Sequence, residues 1–193
     1  MTPREILDAN GDFRRSPLLD SLGRLDALFT GEGIPYAVVG GLAVVRHGAP
    51  RTTLDVDILI EEADWDRIRR RAPDFLDAGI DHARDRSNGI EIDILHPGDK
   101  WEMEMTMPHP ADISEPDPDL GGSFIGLVPL LALKCAVYRS KLAEHGIEIA
   151  AKDLADITSL FQARHAELRR EDFAAYPRPI AEALREIRRN LGV

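Results

Sequence analysis

The chain has 193 residues, 44% hydrophobic and 30% charged, a composition that specifies a folded core and excludes the low-hydrophobicity signature of disorder. A formal net charge of -10, from 34 acidic and 24 basic side chains, excludes generic coating of a phosphate backbone, although Arg67, Arg69, Arg70 and Arg71 form one basic cluster and Arg185, Arg188 and Arg189 another. A single cysteine, Cys135, excludes a disulfide framework within the chain, and the absence of an apolar leader or a run of roughly 20 apolar residues leads us to expect a cytoplasmic protein without membrane contact.

In chain order, Leu18, Leu19, Leu22, Leu25, Leu28 and Phe29 recur at helical spacing and predict an amphipathic helix over Pro17–Phe29, stopped by Gly31 and Gly33. A short buried strand, Tyr36–Val39, then runs into Gly40-Gly41 and a short helix over Leu42–His47. Thr53–Ile60 reads as a second strand, and Glu61–Arg71 as a polar helix with Trp65 and Ile68 on its apolar face. Gly89–Leu95 alternates isoleucines with Glu91 and Asp93, giving a third strand, and Trp101–Met107 a fourth with Met103, Met105 and Met107 on one face. The prolines and Gly-Gly pair between Pro108 and Gly122 mark a boundary, so residues 1–122 are expected to form one domain and 123–193 a helical region packed on it. Three helices are expected there: Leu127–Lys141, Lys152–His165 with Asp153 as its N-cap, and Pro179–Asn190.

The chemistry concentrates in Tyr36–Ile60. Asp55 and Asp57 are two apart on a strand, so their carboxylates share a face while Val56 and Ile58 point the other way. Two such charges repel unless a cation sits between them, and Mg2+ or Mn2+ is the natural occupant because hard cations take carboxylate oxygens together with substrate phosphates. Asp93 supplies a third carboxylate in the same strand setting, with Glu91 on its face as the competing choice. Gly40-Gly41 lets backbone N–H groups approach a phosphate without a Cβ in the way.

Gly40-Gly41 followed by Arg51-Thr52-Thr53-Leu54-Asp55-Val56-Asp57 resembles the polymerase-beta-type nucleotidyltransferase superfamily, and within it the minimal and abortive-infection toxin-like branches. Ile92-Asp93-Ile94 is similar to that family's third carboxylate, and Lys134 with Lys152-Asp153-Leu154-Ala155-Asp156 matches the helical part of the toxin-like branch loosely. The chain departs from the pattern where a second glycine replaces the serine of many catalytic members, and where residues 143–151 read as an insertion.

The resemblance implies an α+β nucleotidyltransferase fold: a small mixed sheet flanked by helices, with a C-terminal helical extension. It implies Asp55, Asp57 and Asp93 as metal-binding and catalytic residues, Gly40, Gly41, Arg51, Thr53 and Lys134 as nucleotide-binding residues, and Mg2+ or Mn2+ with an NTP. The expected activity is transfer of an NMP, with release of pyrophosphate, onto RNA, a protein or a small-molecule antibiotic; a toxin with a cognate antitoxin is one such role. The alternative is a binder of the same fold without turnover. Read singly, Arg51 reaches phosphate or pairs with Asp55 or Asp57, Lys134 finds an anionic partner or snorkels, and Asp153 and Asp156 cap a helix. The histidines show no metal-ligand spacing and Cys135 reads as a buried thiol.

Overall fold

The structure, a computed structural model, describes residues 16–71, 73–98, 100–101 and 105–193. Helix α1 (Pro17–Glu32) begins with proline at its first turn, where no N–H partner is needed, and ends at Gly33 in the left-handed conformation. Its stripe of Leu18, Leu22, Leu25 and Phe29 is buried, as the spacing predicts. Strand β1 (Tyr36–Val38) leads into α2 (Gly40–Arg46), so the two glycines form the first turn of the helix rather than a loop ahead of it. Strand β2 (Asp55–Ile60) follows, then α3 (Glu62–Arg71), which buries Trp65 and Ile68.

A hairpin of β3 (Leu76–Ala78) and β4 (His82–Asp85) precedes β5 (Glu91–Leu95). The expected fourth strand is a small separate hairpin of β6 (Lys100–Trp101) and β7 (Met105–Thr106); Met105 and Met107 are buried, and Met103 lies outside the described residues. Within the proline-rich stretch fall a single helical turn α4 (Pro110–Ile113) and β8 (Ser114–Pro116), and β9 (Ser123–Ile125) comes just beyond it.

The main sheet has seven strands in the order β3-β4-β5-β2-β1-β9-β8. It is mixed: β2 pairs parallel with β5 and β1 parallel with β9, whereas β1–β2, β3–β4, β4–β5 and β8–β9 are antiparallel. The sheet therefore runs on through Ile125, and the helices begin at Leu127. They are α5 (Leu127–His145), α6 (Ile147–Ala163), the one-turn α7 (His165–Leu168) and α8 (Arg178–Leu191).

Residues 143–151 lie within the helical hairpin of α5 and α6. They are the end of α5, the Gly146 turn and the start of α6, so Asp153 lies in the second turn of α6 and caps nothing. One continuous core joins sheet and helices, from Leu22 and Phe29 through Ile58, Ile92 and Phe124 to Leu131, Phe161 and Leu184. Cys135 belongs to it, and burial pushes its thiol up to about 12, leaving it inert. On α3, Arg67, Arg69, Arg70 and Arg71 each face a carboxylate, of Asp64, Asp66, Asp66 and Glu32 respectively, which accounts for this cluster as a paired helix face. No helix among the described residues is long and apolar enough to cross a membrane.

Candidate active site

Strand periodicity and sheet register together assemble the acidic side of the site. Asp55 and Asp57 share the half-buried, pocket-facing side of β2, while Val56 and Ile58 are fully buried behind them. The parallel register sets Asp57 opposite Asp93 and Asp55 opposite Glu91, at a strand spacing of about 4.8 Å. The next strand continues both rows, with His82 opposite Asp93 and Arg84 opposite Glu91. Arg84 pairs with Glu91 at 3.2 Å, and Glu91 stays outside the pocket that Asp55, Asp57 and Asp93 line.

The glycine pair is dictated by contact with these acids. Gly40 has φ +59°, and a Cβ there would lie 1.8 Å from Asp57 Oδ2. Gly41 has no such conformational demand, but its Cβ would lie 2.4 Å from Thr53 Oγ1 and 2.8 Å from Thr53 Cβ. Serine or any other side chain would meet this contact, so glycine at this position has a steric cause. The Gly41 N–H donates to Asp57 Oδ2 at 3.3 Å, and Val39 N–H donates to the Asp57 carbonyl at 2.9 Å, which pins α2 to β2. Thr53 donates its hydroxyl to Asp55 Oδ1 at 2.7 Å and does not itself line the pocket.

The opposite wall comes from α5 and α6. Leu133 and Val137, one turn apart, give it an aliphatic strip, with Lys134, Lys141, Lys152 and Asp153 around them. Lys134 does not snorkel: it is 8% exposed and lies 2.8 Å from Asp156 Oδ2 and 3.2 Å from Asp153 Oδ1. Asp153 also reaches Lys141 at 2.7 Å. Arg51, on the loop before β2, lines the pocket and pairs with Asp156 at 3.0 Å, not with Asp55 or Asp57. A buried lysine is tolerated only with such partners, so the two aspartates are the reason that these cations can stand here.

Asp153 and Asp156, expected as helix caps, are instead the ion-pair partners of Lys134. Their three-residue spacing places both on one face of α6 toward Lys134, a signal visible in the sequence once α6 is started at Ile147.

The pocket has a volume of about 270 Å³ and opens to solvent, with carboxylates on the sheet side and cations on the helix side. Burial raises the Asp57 carboxyl above its ordinary range, and Asp55 and Asp93 add to this against the Gly41 N–H and Lys134. Asp93 is also raised, by burial, Asp55 and Glu91, with His82 opposing. The acidic side thus carries negative charge that the side chains around it do not balance. A hard cation would balance it, and the donor set, all carboxylate oxygen, is of the kind that Mg2+ and Mn2+ take. Among the described residues no group of three or more histidine, cysteine, aspartate or glutamate side chains is placed to hold a metal ion by itself. Mg2+ does not require one, since it commonly binds through one or two carboxylates with water and substrate phosphates completing its shell.

The architecture is the nucleotidyltransferase fold, a mixed sheet flanked by helices with further helices at the C-terminal end. The chain is similar to ANT(2")-Ia, whose crystal structure is a complex with adenylyl-2"-tobramycin: TM-score 0.53, 13% identity, 91% of this chain and 98% of that one. It also matches an antigenic nucleotidyltransferase-like protein from Paracoccidioides brasiliensis at TM-score 0.47 and 12% identity, over 89% of this chain and 95% of that one. A CCA-adding enzyme in complex with CTP matches at TM-score 0.35 and 14% identity, over 97% and 53% of the two chains. At these identities the likeness is one of fold, and only the first match carries weight. No protein-family model matches the chain, and no curated protein matches it in sequence.

Proposed function

We propose that the protein is a metal-dependent nucleotidyltransferase that moves an NMP from an NTP to an acceptor hydroxyl or phosphate and releases pyrophosphate. One observation carries this reading: Asp55, Asp57 and Asp93 share one face and one pocket, across from Arg51, Lys134, Lys141 and Lys152. A substrate that spans such a pocket is polyanionic at one end and needs charge compensation at the other, as a metal-bound triphosphate does.

Asp55 and Asp57 would hold Mg2+ or Mn2+, with Asp93 beside them; when bound, the ion neutralises charge that develops on the α-phosphate oxygens and on the leaving pyrophosphate. Lys134 and Arg51 would hold the phosphates in line, with Lys141 and Lys152 nearer the pocket mouth. The Gly40-Gly41 turn keeps the backbone flush with the carboxylates. Asp93, exposed at the edge of the pocket and raised above the usual carboxylate range, is the group to take the proton of an acceptor hydroxyl as its oxygen bonds to the α-phosphorus. The bond from that phosphorus to the bridging oxygen breaks, and pyrophosphate carries the electron pair away.

The acceptor classes to separate are RNA, a protein hydroxyl and a small molecule. The acidic chain and the exposed Asp93 favour a cationic small molecule, in keeping with the antibiotic adduct held by the ANT(2")-Ia complex. An RNA target would fit a toxin held in check by an antitoxin. The test is incubation of wild type and Asp55→Ala with each α-labelled NTP and Mg2+, separately with total RNA, cell protein and an aminoglycoside-containing small-molecule pool. Label entering one fraction with wild type alone establishes the activity and its acceptor class. NTP binding without transfer to any fraction refutes the enzyme and leaves a nucleotide-binding protein of the same fold.

A further inference from the structure

We propose that Thr53 is a positioning residue whose hydroxyl holds Asp55 in the orientation that a divalent cation requires, and that residue 41 is glycine so that this hydroxyl can occupy its place. The inference rests on the reading of Asp55 as a metal-binding carboxylate and assigns to Thr53 a role other than contact with the nucleotide.

Asp55 stands at the first position of β2, half-buried, with Asp57 two residues on along its own strand and Glu91 opposite it in the register. Both neighbours carry its sign. Left to itself the carboxylate has several rotamers, and repulsion favours those that turn it outward to solvent. The only hydrogen bond recorded to it among the described residues comes from Thr53, 2.7 Å from Thr53 Oγ1 to Asp55 Oδ1. A hydroxyl has one proton to give, and here it goes to Oδ1, which fixes the carboxylate plane and leaves the lone pairs of Oδ2 free.

The hydroxyl can stand there only because position 41 has no side chain. A Cβ on Gly41 would approach Thr53 Oγ1 to 2.4 Å, Thr53 Cβ to 2.8 Å and Arg51 Nη1 to 3.0 Å. Arg51 Nη1 is the end of a flexible side chain and can shift, but the two Thr53 atoms belong to a short β-branched residue with no flexible end to swing away. Gly41, unlike Gly40, is not in the left-handed region, so the requirement for glycine here is one of space alone. Gly41 and Thr53 thus form a matched pair 12 residues apart, and a change at either loosens Asp55.

The test is titration of Mn2+, alone and then with ATP, into wild type, Thr53→Ser, Thr53→Val and Gly41→Ala, followed by electron paramagnetic resonance of the free ion. Circular dichroism and a melting curve on each variant confirm the fold. Groups that orient metal ligands are typically worth 10–100-fold in metal affinity, so Thr53→Val is expected to weaken Mn2+ binding by roughly tenfold or more. Gly41→Ala should weaken it comparably although it leaves the hydroxyl in the chain, and Thr53→Ser should stay within about twofold of wild type. Wild-type affinity in a folded Thr53→Val, or equal losses in the Ser and Val variants, would overturn the inference while leaving the metal site standing. A wild type that binds no Mn2+ with or without ATP would overturn the metal reading of Asp55, and the role of Thr53 with it.

Discussion

Replacing Asp57 by asparagine should stabilise the metal-free protein while removing its response to nucleotide and metal. Asp57 is held in a half-buried position between Asp55, two residues along the strand, and Asp93, its register partner. Those separations are about 6.7 Å and 4.8 Å, and at a surface dielectric near 20 they correspond to repulsions of roughly 2.5 and 3.5 kcal/mol as upper limits. Solvent in the open pocket reduces each to about 1 kcal/mol, and the variant also forfeits attraction to the Gly41 N–H and to Lys134, so the net gain is about 1 kcal/mol. For a chain of this length that raises Tm by roughly 2–4 °C.

The sign is pH-dependent. Because the native Asp57 carboxyl is raised by burial and by Asp55, its penalty is absent below the unfolded carboxylate range and accumulates as pH rises through the native value. The variant should therefore match wild type in acid and exceed it near neutrality. Calorimetry in EDTA and then with Mg2+ and ATP checks both halves: at 100-fold saturation wild type gains about 2.7 kcal/mol and the variant none. A variant no more stable in EDTA that keeps the ligand-induced shift would refute the reasoning.

Asp93→Asn should retain ATP and Mn2+ binding within a few-fold and lose transfer by roughly 10²–10⁴-fold, whereas Glu91→Gln, whose partner is Arg84, should leave both nearly unchanged; single-turnover transfer and calorimetry separate the two. Gly40→Ala should cost about 1–2 kcal/mol for its positive φ and, by displacing Asp57, abolish nucleotide-dependent stabilisation in a thermal melt. Asp85, fully buried, accepts from Ser21 and Arg24 of α1 and from the Ser87 N–H, so Asp85→Ala should cost about 3 kcal/mol in urea unfolding at neutral pH. Burial alone would raise this carboxyl, but the Arg24, Ser21 and Ser87 hydrogen bonds hold it below its ordinary range. Its contribution is present above the unfolded value and is lost as pH falls through the native one, so the gap between wild type and variant should narrow in strong acid.

The acidic side of the pocket was legible because it is written in local spacing. Two aspartates at i, i+2 and a third between isoleucines must share a face if both segments are strands, and the parallel register of β2 and β5 completes the set. The helical wall was less legible because its meaning is not local. Lys134 and Asp156 lie 22 residues apart and declare each other only when α5 folds back on α6 at Gly146. The solvent-exposed Ile147 and Ile149 obscured the start of α6, which left Asp153 looking like a cap. Strands β3 and β4 escaped for a similar reason. In β4 the inward positions are Ala83 and Asp85, and an inward aspartate reads as a turn until Ser21 and Arg24 of α1 are brought against it. Strand β8 contains Pro116, which only an edge strand admits, and it is the edge of this sheet.

Four cations line the pocket, but their charge is unequally available. Arg51 and Lys134 share Asp156, and Lys134 and Lys141 share Asp153, so two aspartates already engage three of these cations before any substrate arrives and leave them a single net positive charge. Lys152 is exposed at the same pocket with no ion pair among the described residues. An arriving triphosphate therefore meets one free cation and three that must divide their attention with Asp153 and Asp156, while facing Asp55, Asp57 and Asp93 across the pocket. Charge alone does not favour entry of a bare triphosphate; a cation carried in on it would reverse the balance at the sheet face. Binding of ATP should accordingly depend on divalent metal far more than the count of lysines suggests. Neutralising the sheet face should relax that dependence, so Asp55→Asn is expected to bind metal-free ATP more tightly than wild type does. Calorimetric titration of both proteins with ATP in EDTA decides it, and equal affinities would show that the helix-side cations, not the carboxylates, set the requirement.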